Sequence, residues 1–428
     1  MSHQQNRIDW IEPLIFAEKI AENEAEFVFL YSGEKNSNSE NFSYLALFPQ
    51  EKISSDKFSS LSSKLSNNRS KLENAWFGYF GYELLHDVEN IEKEQNSYII
   101  LPDLYFVRFG LIIEFDHKKK IINYYAEPNI KLPDYIFDKN NFKKSDKKYI
   151  THDINYSMSR EEYFRIIEET KEEIRKGSFY QANITRKIMG KFIDKPNGFS
   201  IFMSLCKESP ASYSAFFKTK DFSIISSSPE NFLNINKDGV IKSSPIKGTV
   251  LRYRNKKLDK ESLDYLSNSE KEKAENLMIV DLMRNDLAIN SVAGSVKVEN
   301  LFKISSYKTL HHLSSTIIAQ KSDNASTLNV VKSAFPAGSM TGAPKISAIK
   351  WCMKKEKIRR GVYSGALGWF GGDGSCDLSV VIRTLIISGN RFEFQVGGGI
   401  TIDSDAESEW QETITKAKGI MKALERCA

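Results

Sequence analysis

A lysine confined between a proline and a glycine is the first residue in this chain whose surroundings suggest chemistry. The segment Ser243-Ser244-Pro245-Ile246-Lys247-Gly248-Thr249 follows an alternating run, Phe232-Leu233-Asn234-Ile235-Asn236, and a polar turn, Lys237-Asp238-Gly239. That pattern predicts a hairpin delivering Lys247 at a strand end. An amine there is a nucleophile only when partly neutral near pH 7, against an ordinary value of about 10.4. Desolvation or a neighbouring positive charge would be needed. A lysine on a surface loop is the other reading of the same residues.

Paired carboxylates offer a second kind of chemistry. The pattern predicts a helix from Glu270 to about Ala288, with Glu272, Glu275, Ile279 and Leu282 on one stripe. A carboxylate on an apolar stripe is costly unless a cation or hydrogen bonds compensate, although a helix start also favours acidic residues through its dipole. Near the C-terminus the strand Phe392-Glu393-Phe394-Gln395-Val396 leads to Gly397-Gly398-Gly399, then to a helix capped by Ser404 or Asp405 and carrying Glu409 and Glu412. A glycine turn there would expose backbone N–H groups suited to anions. Two carboxylate pairs at i, i+3 suit Mg²⁺, and only six histidines with no His-rich spacing speak against zinc or iron.

These groups need a scaffold, and the composition provides for one. With 428 residues, 41% hydrophobic and 12% aromatic, the chain is globular and long enough for two or three domains, or for one large fold with an appended half. A net charge of +5, from 60 basic and 55 acidic residues without a basic stripe, argues against nucleic acid and favours a small anionic substrate. Cys206, Cys352, Cys376 and Cys427 form no CxxC pair, so neither a disulfide framework nor a zinc site is expected. The start Met1-Ser2-His3-Gln4-Gln5-Asn6-Arg7 has no apolar stretch of signal type and no run is of membrane-spanning length, so a cytoplasmic location is expected.

In order, strands are expected at Phe27–Tyr31 and around Tyr44–Phe48, joined by a polar loop from Gly33 to Asn41, and then a surface helix or loop over Ser54 to Ser70. Trp76-Phe77-Gly78-Tyr79-Phe80-Gly81-Tyr82-Glu83 reads as close-packed core or as a binding platform. A strand pair, Tyr105–Phe109 and Leu111–Phe115, turns at Asp116 to Lys120 into Ile121–Tyr125. The Lys-, Asn- and Asp-rich stretch from Lys131 to Asp153 reads as a linker, dividing a region 1–150 from a region 151–428. Ser159 and Glu162 have capping-box spacing for a helix ending at Gly177, and Phe179 to Thr185 is strand-like.

Together the blocks Ser228-Pro229-Glu230, Pro245-Ile246-Lys247-Gly248-Thr249, Ala274 to Asp286, Gly342-Ala343-Pro344-Lys345, Arg360-Gly361-Val362-Tyr363-Ser364-Gly365, Ile382-Arg383-Thr384, Gly397-Gly398-Gly399-Ile400 and Gln411-Glu412-Thr413 resemble the chorismate-utilising enzymes, over roughly residues 155 to 425. Region 1–150 resembles, more weakly, the N-terminal region of anthranilate synthase component I. The family includes anthranilate, aminodeoxychorismate, isochorismate and salicylate synthases. Its anthranilate branch usually has alanine where Lys247 stands, and the PIKGT pattern resembles the aminodeoxychorismate branch; anthranilate synthesis is the alternative.

The resemblance implies an α+β fold of two antiparallel sheets packed as a sandwich, with surrounding helices and the active site in the cleft. It implies Lys247 as a covalent nucleophile and Glu230 as the acid protonating the departing C4 hydroxyl. Glu275 and Glu412 match Mg²⁺ ligands supported by Glu272 and Glu409. Tyr363, Arg383, Lys416 and Gly397, Gly398 and Gly399 match substrate contacts, and Thr341 and His312 match pocket-lining positions. Gln181 stands where isochorismate and salicylate synthases carry a lysine base for water, a task glutamine cannot perform. Chorismate is the implied substrate. With no cysteine and histidine arranged as in a glutaminase, a separate glutamine amidotransferase subunit is the expected ammonia source. Leu30-Tyr31-Ser32-Gly33 lacks the acidic residue of the Leu-Leu-Glu-Ser feedback pattern, which speaks against tryptophan control.

Overall fold

The computed structural model describes residues 6–33, 42–65, 69–94, 96–137, 151–307 and 310–426. Its first part contains β1 (Asn6–Ile8), α1 (Pro13–Asn23), β2 (Phe27–Tyr31), β3 (Phe42–Ser55), α2 (Ser59–Ser62), β4 (Trp76–Phe80), β5 (Leu104–Asp116) and β6 (Ile121–Ala126). The chain continues through β7 (Thr151–Tyr156), α3 (Arg160–Arg175), β8 (Gln181–Phe192), α4 (Gly198–Glu208), β9 (Tyr213–Lys218), β10 (Phe222–Ser228), β11 (Asn231–Ile235), β12 (Val240–Ser244) and β13 (Ile246–Leu251). Next come α5 (Lys256–Asn268), α6 (Glu270–Ala288), β14 (Lys297–Ser306), β15 (Leu310–Gln320), α7 (Thr327–Ala334), α8 (Gly338–Thr341), β16 (Gly342–Ala343) and α9 (Lys345–Glu356). Four strands, β17 (Ala366–Phe370), β18 (Cys376–Val380), β19 (Thr384–Ser388) and β20 (Arg391–Ile400), precede the final helix α10 (Ala406–Arg426).

The strands form one large antiparallel network with helices around it. One arm runs β8, β20, β19, β10, β9, β2, β3, β5. From β5 a second arm runs through β4 to β17, β18, β11, β12 and β15. Strands β12 and β13 succeed each other along one edge of β15, and β14 takes the other. The pairs β2–β9 and β4–β17 cross the boundary expected near residue 150. The first part of the chain therefore completes the sheet of the second. Most of the stretch read as a linker, residues 138–150, lies outside the described residues, as do 34–41 of the polar loop and 66–68 of the serine-rich stretch.

Local patterns explain most elements. Ser159 accepts the Glu162 N–H at 3.1 Å, capping α3, and Ser269 caps α6 through the Glu272 N–H. Asp405, with the Ser408 N–H at 2.9 Å, starts α10. Strand β4 is buried throughout, and a methyl on Gly78 would sit 2.1 Å from the Tyr105 carbonyl oxygen. The aromatic-glycine stretch is thus core at a close backbone crossing. The expected pair at Tyr105–Phe109 and Leu111–Phe115 is instead a single strand, β5, because β3 pairs with it on both sides of Gly110.

The hairpin at Lys237-Asp238-Gly239 forms between β11 and β12. Lys247 is not at its end but in the next strand, β13, beyond Pro245. Nor do Gly397, Gly398 and Gly399 make a turn: they lie inside β20, opposite Thr185, Ile184 and Asn183 of β8. The ladder, a non-local interaction, takes up backbone that glycine leaves free for a loop.

Candidate active site

Lys247 owes its direction to a fault in a ladder. Ile246 lies opposite Ser314 and Thr249 opposite His312, so three steps along β13 match two along β15. The extra residue falls at Lys247-Gly248, and Gly248 adopts φ +79°, the left-handed region that glycine enters without penalty. Bulges of this kind re-aim side chains. The Lys247 ammonium lies 3.7 Å from Glu275 Oε2, with 13% of its side chain exposed. A methyl on Gly399 would sit 3.1 Å from Lys247 Nζ and 2.1 Å from Gln181 Nε2, so β20 offers bare backbone where these two side chains converge. Gln181 is wholly buried, and neither end of its amide has a protein partner.

Glu230, between β10 and β11, faces the same place. Burial pushes its carboxyl up to about 6, against a hydrogen bond from the Ser339 side chain, the charge of Lys247 and the Ile246 N–H. Its main chain is fixed by its own N–H to Ser228 Oγ at 3.3 Å and by its carbonyl accepting from Val380 N–H at 3.1 Å. Buried carboxyls with raised values are suited to proton donation near neutrality.

Helices α6 and α10 bring the acidic pairs together. Burial and the charge of Glu275 push Glu272 up. Burial and the charge of Glu412 push Glu409 up, although Ser404 donates to it at 2.7 Å. Burial would also raise Glu412, but the ammoniums of Lys416 and Lys247 outweigh it and its carboxyl lies below the usual range. Glu412 is at the rim, half-exposed, with Lys416 2.6 Å away. Lys416 also donates to the Gly397 carbonyl at 2.8 Å. In an antiparallel strand the N–H and carbonyl of one residue point the same way, so Gly397 turns its N–H off β8 as well.

Lys271 was not singled out by the sequence reading. Its ammonium stands 4.0 Å from Glu275 and 3.9 Å from Glu409, joining the two acidic helices. Its signal was available in the i, i+4 spacing to Glu275. Among the described residues no three acidic, histidine or cysteine side chains close into a ready metal cage. The donor set still fits a hard cation: a protein cation already stands between carboxylates from two helices, and Mg²⁺ needs only one or two of them.

The other expected residues divide. His312 donates or accepts through Nδ1 with Thr249 Oγ1 at 2.7 Å, and burial with the charges of Arg383 and His311 pushes it down to about 3. It is therefore a neutral wall beside the bulge. Arg383 adopts φ +49°, a conformation uncommon for a side-chain-bearing residue, and its charge reaches His312. Tyr363 is buried, which raises its hydroxyl; the charge of Glu230 also acts on it. The Thr341 hydroxyl instead bonds to the Ala337 and Gly338 carbonyls of its own short helix, at 3.4 and 3.3 Å.

Arg360 and Glu83 are framework that the sequence reading quoted without a role. Arg360 is buried and reaches Glu356 at 2.7 Å, the Asn183 carbonyl at 2.7 Å and the Met340 carbonyl at 2.8 Å. Glu83 accepts the N–H groups of Arg360 and Gly361 at 2.7 and 2.9 Å, fixing the loop that carries Tyr363. Leu30, Tyr31 and Ser32, from the stretch compared with the feedback pattern, line a separate cavity of about 690 Å³ together with Tyr44 and Trp369.

The large antiparallel network with its surrounding helices is one that known proteins share. The family model of the chorismate binding enzymes matches residues 25–422, and the chain belongs to that family. The aminodeoxychorismate synthase component 1 of Escherichia coli is 34% identical over 349 residues, covering 82% of this chain and 76% of that protein. The anthranilate synthase component 1 of Aquifex aeolicus is 31% identical over 367 residues, covering 81% and 74%. Among solved structures, anthranilate synthase component I from Streptococcus pneumoniae superposes with a TM-score of 0.77 at 26% identity, over 90% of this chain and 93% of that one.

Proposed function

We propose that this chain aminates chorismate at C4, as an aminodeoxychorismate synthase component 1 does. Ammonia is the nitrogen donor and 4-amino-4-deoxychorismate the product. The observation that carries this reading is Lys247, aimed by the bulge towards Gln181 and Gly399 with the raised carboxyl of Glu230 under its charge.

The Lys247 amine bonds to C2 of chorismate, both conjugated ring double bonds shift by one position, and the C4–oxygen bond breaks. The hydroxyl takes the Glu230 proton and leaves as water. Ammonia then bonds to C4, both double bonds shift back, and the C2–nitrogen bond breaks to release the lysine. Two allylic displacements put the new nitrogen on C4, where one direct displacement at C2 would leave it ortho. Gln181 has no basic group to deprotonate water, which favours amination over hydration.

Glu275 and Glu412 would hold Mg²⁺, with Glu272 and Glu409 behind them; when bound, it would neutralise and orient the ring carboxylate. Arg383, Tyr363, Lys416 and the N–H groups of the glycine run are the proposed contacts for the carboxylates of chorismate. The designation of relatives as component 1 supports a second, separate component, and a glutamine amidotransferase is the ammonia source we infer. We also infer a cytoplasmic location: no helix among the described residues is long and apolar enough to cross a membrane, and Cys206, Cys352 and Cys376 are free. The strand network is read as folding at β5 into two facing layers, because Val28, Ala46, Phe217 and Ile224 of one arm share a core with Phe77, Leu367 and Trp369 of the other.

Mass spectrometry of products from chorismate, Mg²⁺ and ammonium salt, with Lys247→Ala alongside, tests the reading. A product with amine in place of the C4 hydroxyl and the pyruvyl group retained, lost in the variant, is expected. Anthranilate with pyruvate, or isochorismate, would move the chain to another branch of the family.

A further inference from the structure

Beyond the bulge that aims Lys247, β13 runs only to Leu251 before the chain turns into α5. That helix is weakly anchored by apolar contact: Leu266 is its one fully buried residue, while Leu258 and Tyr265 are exposed. A polar cluster fastens its other end. His311, 1% exposed, bonds through Nε2 to Asp259 Oδ1 at 2.9 Å and through Nδ1 to Ser306 Oγ at 2.8 Å. Asp259 also accepts the Tyr253 N–H at 2.9 Å. Arg252 donates to the Tyr307 carbonyl at 2.7 Å, and Ser262 donates to the Leu251 carbonyl at 2.7 Å.

One buried imidazole thus joins β14, β15, α5 and the exit of β13. Its position matters because of register. His311 is opposite Val250, one step past the Thr249–His312 pair that closes the bulge. Upstream, the bulge is held by the Ser315 N–H to the Pro245 carbonyl at 3.3 Å. Downstream, the ladder has two more pairs, Val250↔His311 and Leu251↔Leu310, before β13 ends. An extra residue in a strand is retained only when both flanks are fixed; a slip of one residue reverses which face each side chain takes.

We propose that Asp259 and His311 are positioning residues for Lys247, holding the downstream flank of the bulge so that the amine stays aimed into the cleft. This rests on Lys247 being the reacting amine of the proposed function. Neither residue touches the reacting atoms; they act through β13.

The test uses the full chain with Asp259→Asn, His311→Gln and the milder Ser306→Ala. Two readouts are taken beside the melting temperature. In steady-state amination, kcat is expected to fall by up to ~10²-fold, the scale of an ångström misplacement, with KM for chorismate changed much less. In a brief pulse of a lysine-acylating reagent, followed by peptide mass spectrometry, Lys247 is expected to label severalfold faster relative to Lys237, which lies on the exposed hairpin turn. Melting temperatures lowered with kcat and the labelling ratio both as in the unsubstituted chain would reduce the pair to a fold contact and overturn the proposal. If Asp259→Asn and His311→Gln fail to fold, Ser306→Ala decides by the same criteria. Should the unsubstituted chain make no C4 amine, the function reading fails by itself, and the labelling ratio still decides whether the pair holds the bulge.

Discussion

Glu230 is the residue whose surroundings make the sharpest demand on pH. Its carboxyl ordinarily titrates near 4.5 and burial carries it to about 6. The native state therefore keeps a proton that the unfolded chain gives up between those values. Its contribution to stability favours the low end of that window and is lost as pH rises through about 6. Catalysis by the protonated form has the same sign. The expected profile of kcat descends as pH rises through the value of this group, and Glu230→Gln removes that limb while lowering kcat by ~10²–10⁴-fold, the usual worth of a general acid. A profile of unchanged shape in the variant would assign the proton to another group. Glu230 was legible only through the family motif around it: a Ser-Pro-Glu tripeptide does not reveal that Ser339, over a hundred residues later, will bond to its carboxyl.

At the scale of elements, what could be read from the sequence was what neighbouring residues decide. The Ser159 cap, the extent of α6, the strand Phe27–Tyr31 and the β11–β12 hairpin all follow from spacing within a few residues. Lys247 on a bulge, the continuity of β5 and the glycine run inside β20 depend on partners far along the chain, so spacing alone misplaced them. The glycine run gives a direct test of this non-local packing. An alanine at 399 would place its methyl 2.1 Å from Gln181 Nε2 and 3.1 Å from Lys247 Nζ; one of them must move. Gly399→Ala is expected to cost about 1–3 kcal/mol of stability, as overpacking does, and to lower kcat by ~10²-fold through misplacement. Gly389→Ala is the comparison: nothing lies within 4 Å of the added methyl. Its φ of +60° still carries a strain of ~1–2 kcal/mol, so it should lose stability without a matching loss of kcat. Equal kcat losses in the two variants would detach Gly399 from the site.

For the whole molecule, strand pairing runs across the composition shift near residue 150. Strand β2 pairs with β9 from Phe27↔Lys218 to Tyr31↔Ser214, and β4 pairs with β17 from Trp76↔Phe370 to Phe80↔Ala366. Aromatic contacts span the same divide: Phe27 meets Phe199 and Phe216, and Phe80 meets Phe335 and Phe370. Removing one buried phenylalanine side chain typically costs about 3–5 kcal/mol, against a total stability of about 5–15 kcal/mol for a domain. A fragment of residues 151–428 loses several such contacts and exposes the edges of β9 and β17, which invites aggregation. Every candidate site residue lies in that fragment, yet the loop carrying Tyr363 is fixed by Glu83 from outside it. We therefore expect the full chain to unfold in one cooperative calorimetric transition and the fragment to show none, with weak near-ultraviolet dichroism. A sharp transition in the isolated fragment would instead make the catalytic region a domain in its own right and reduce the first part to an appended layer.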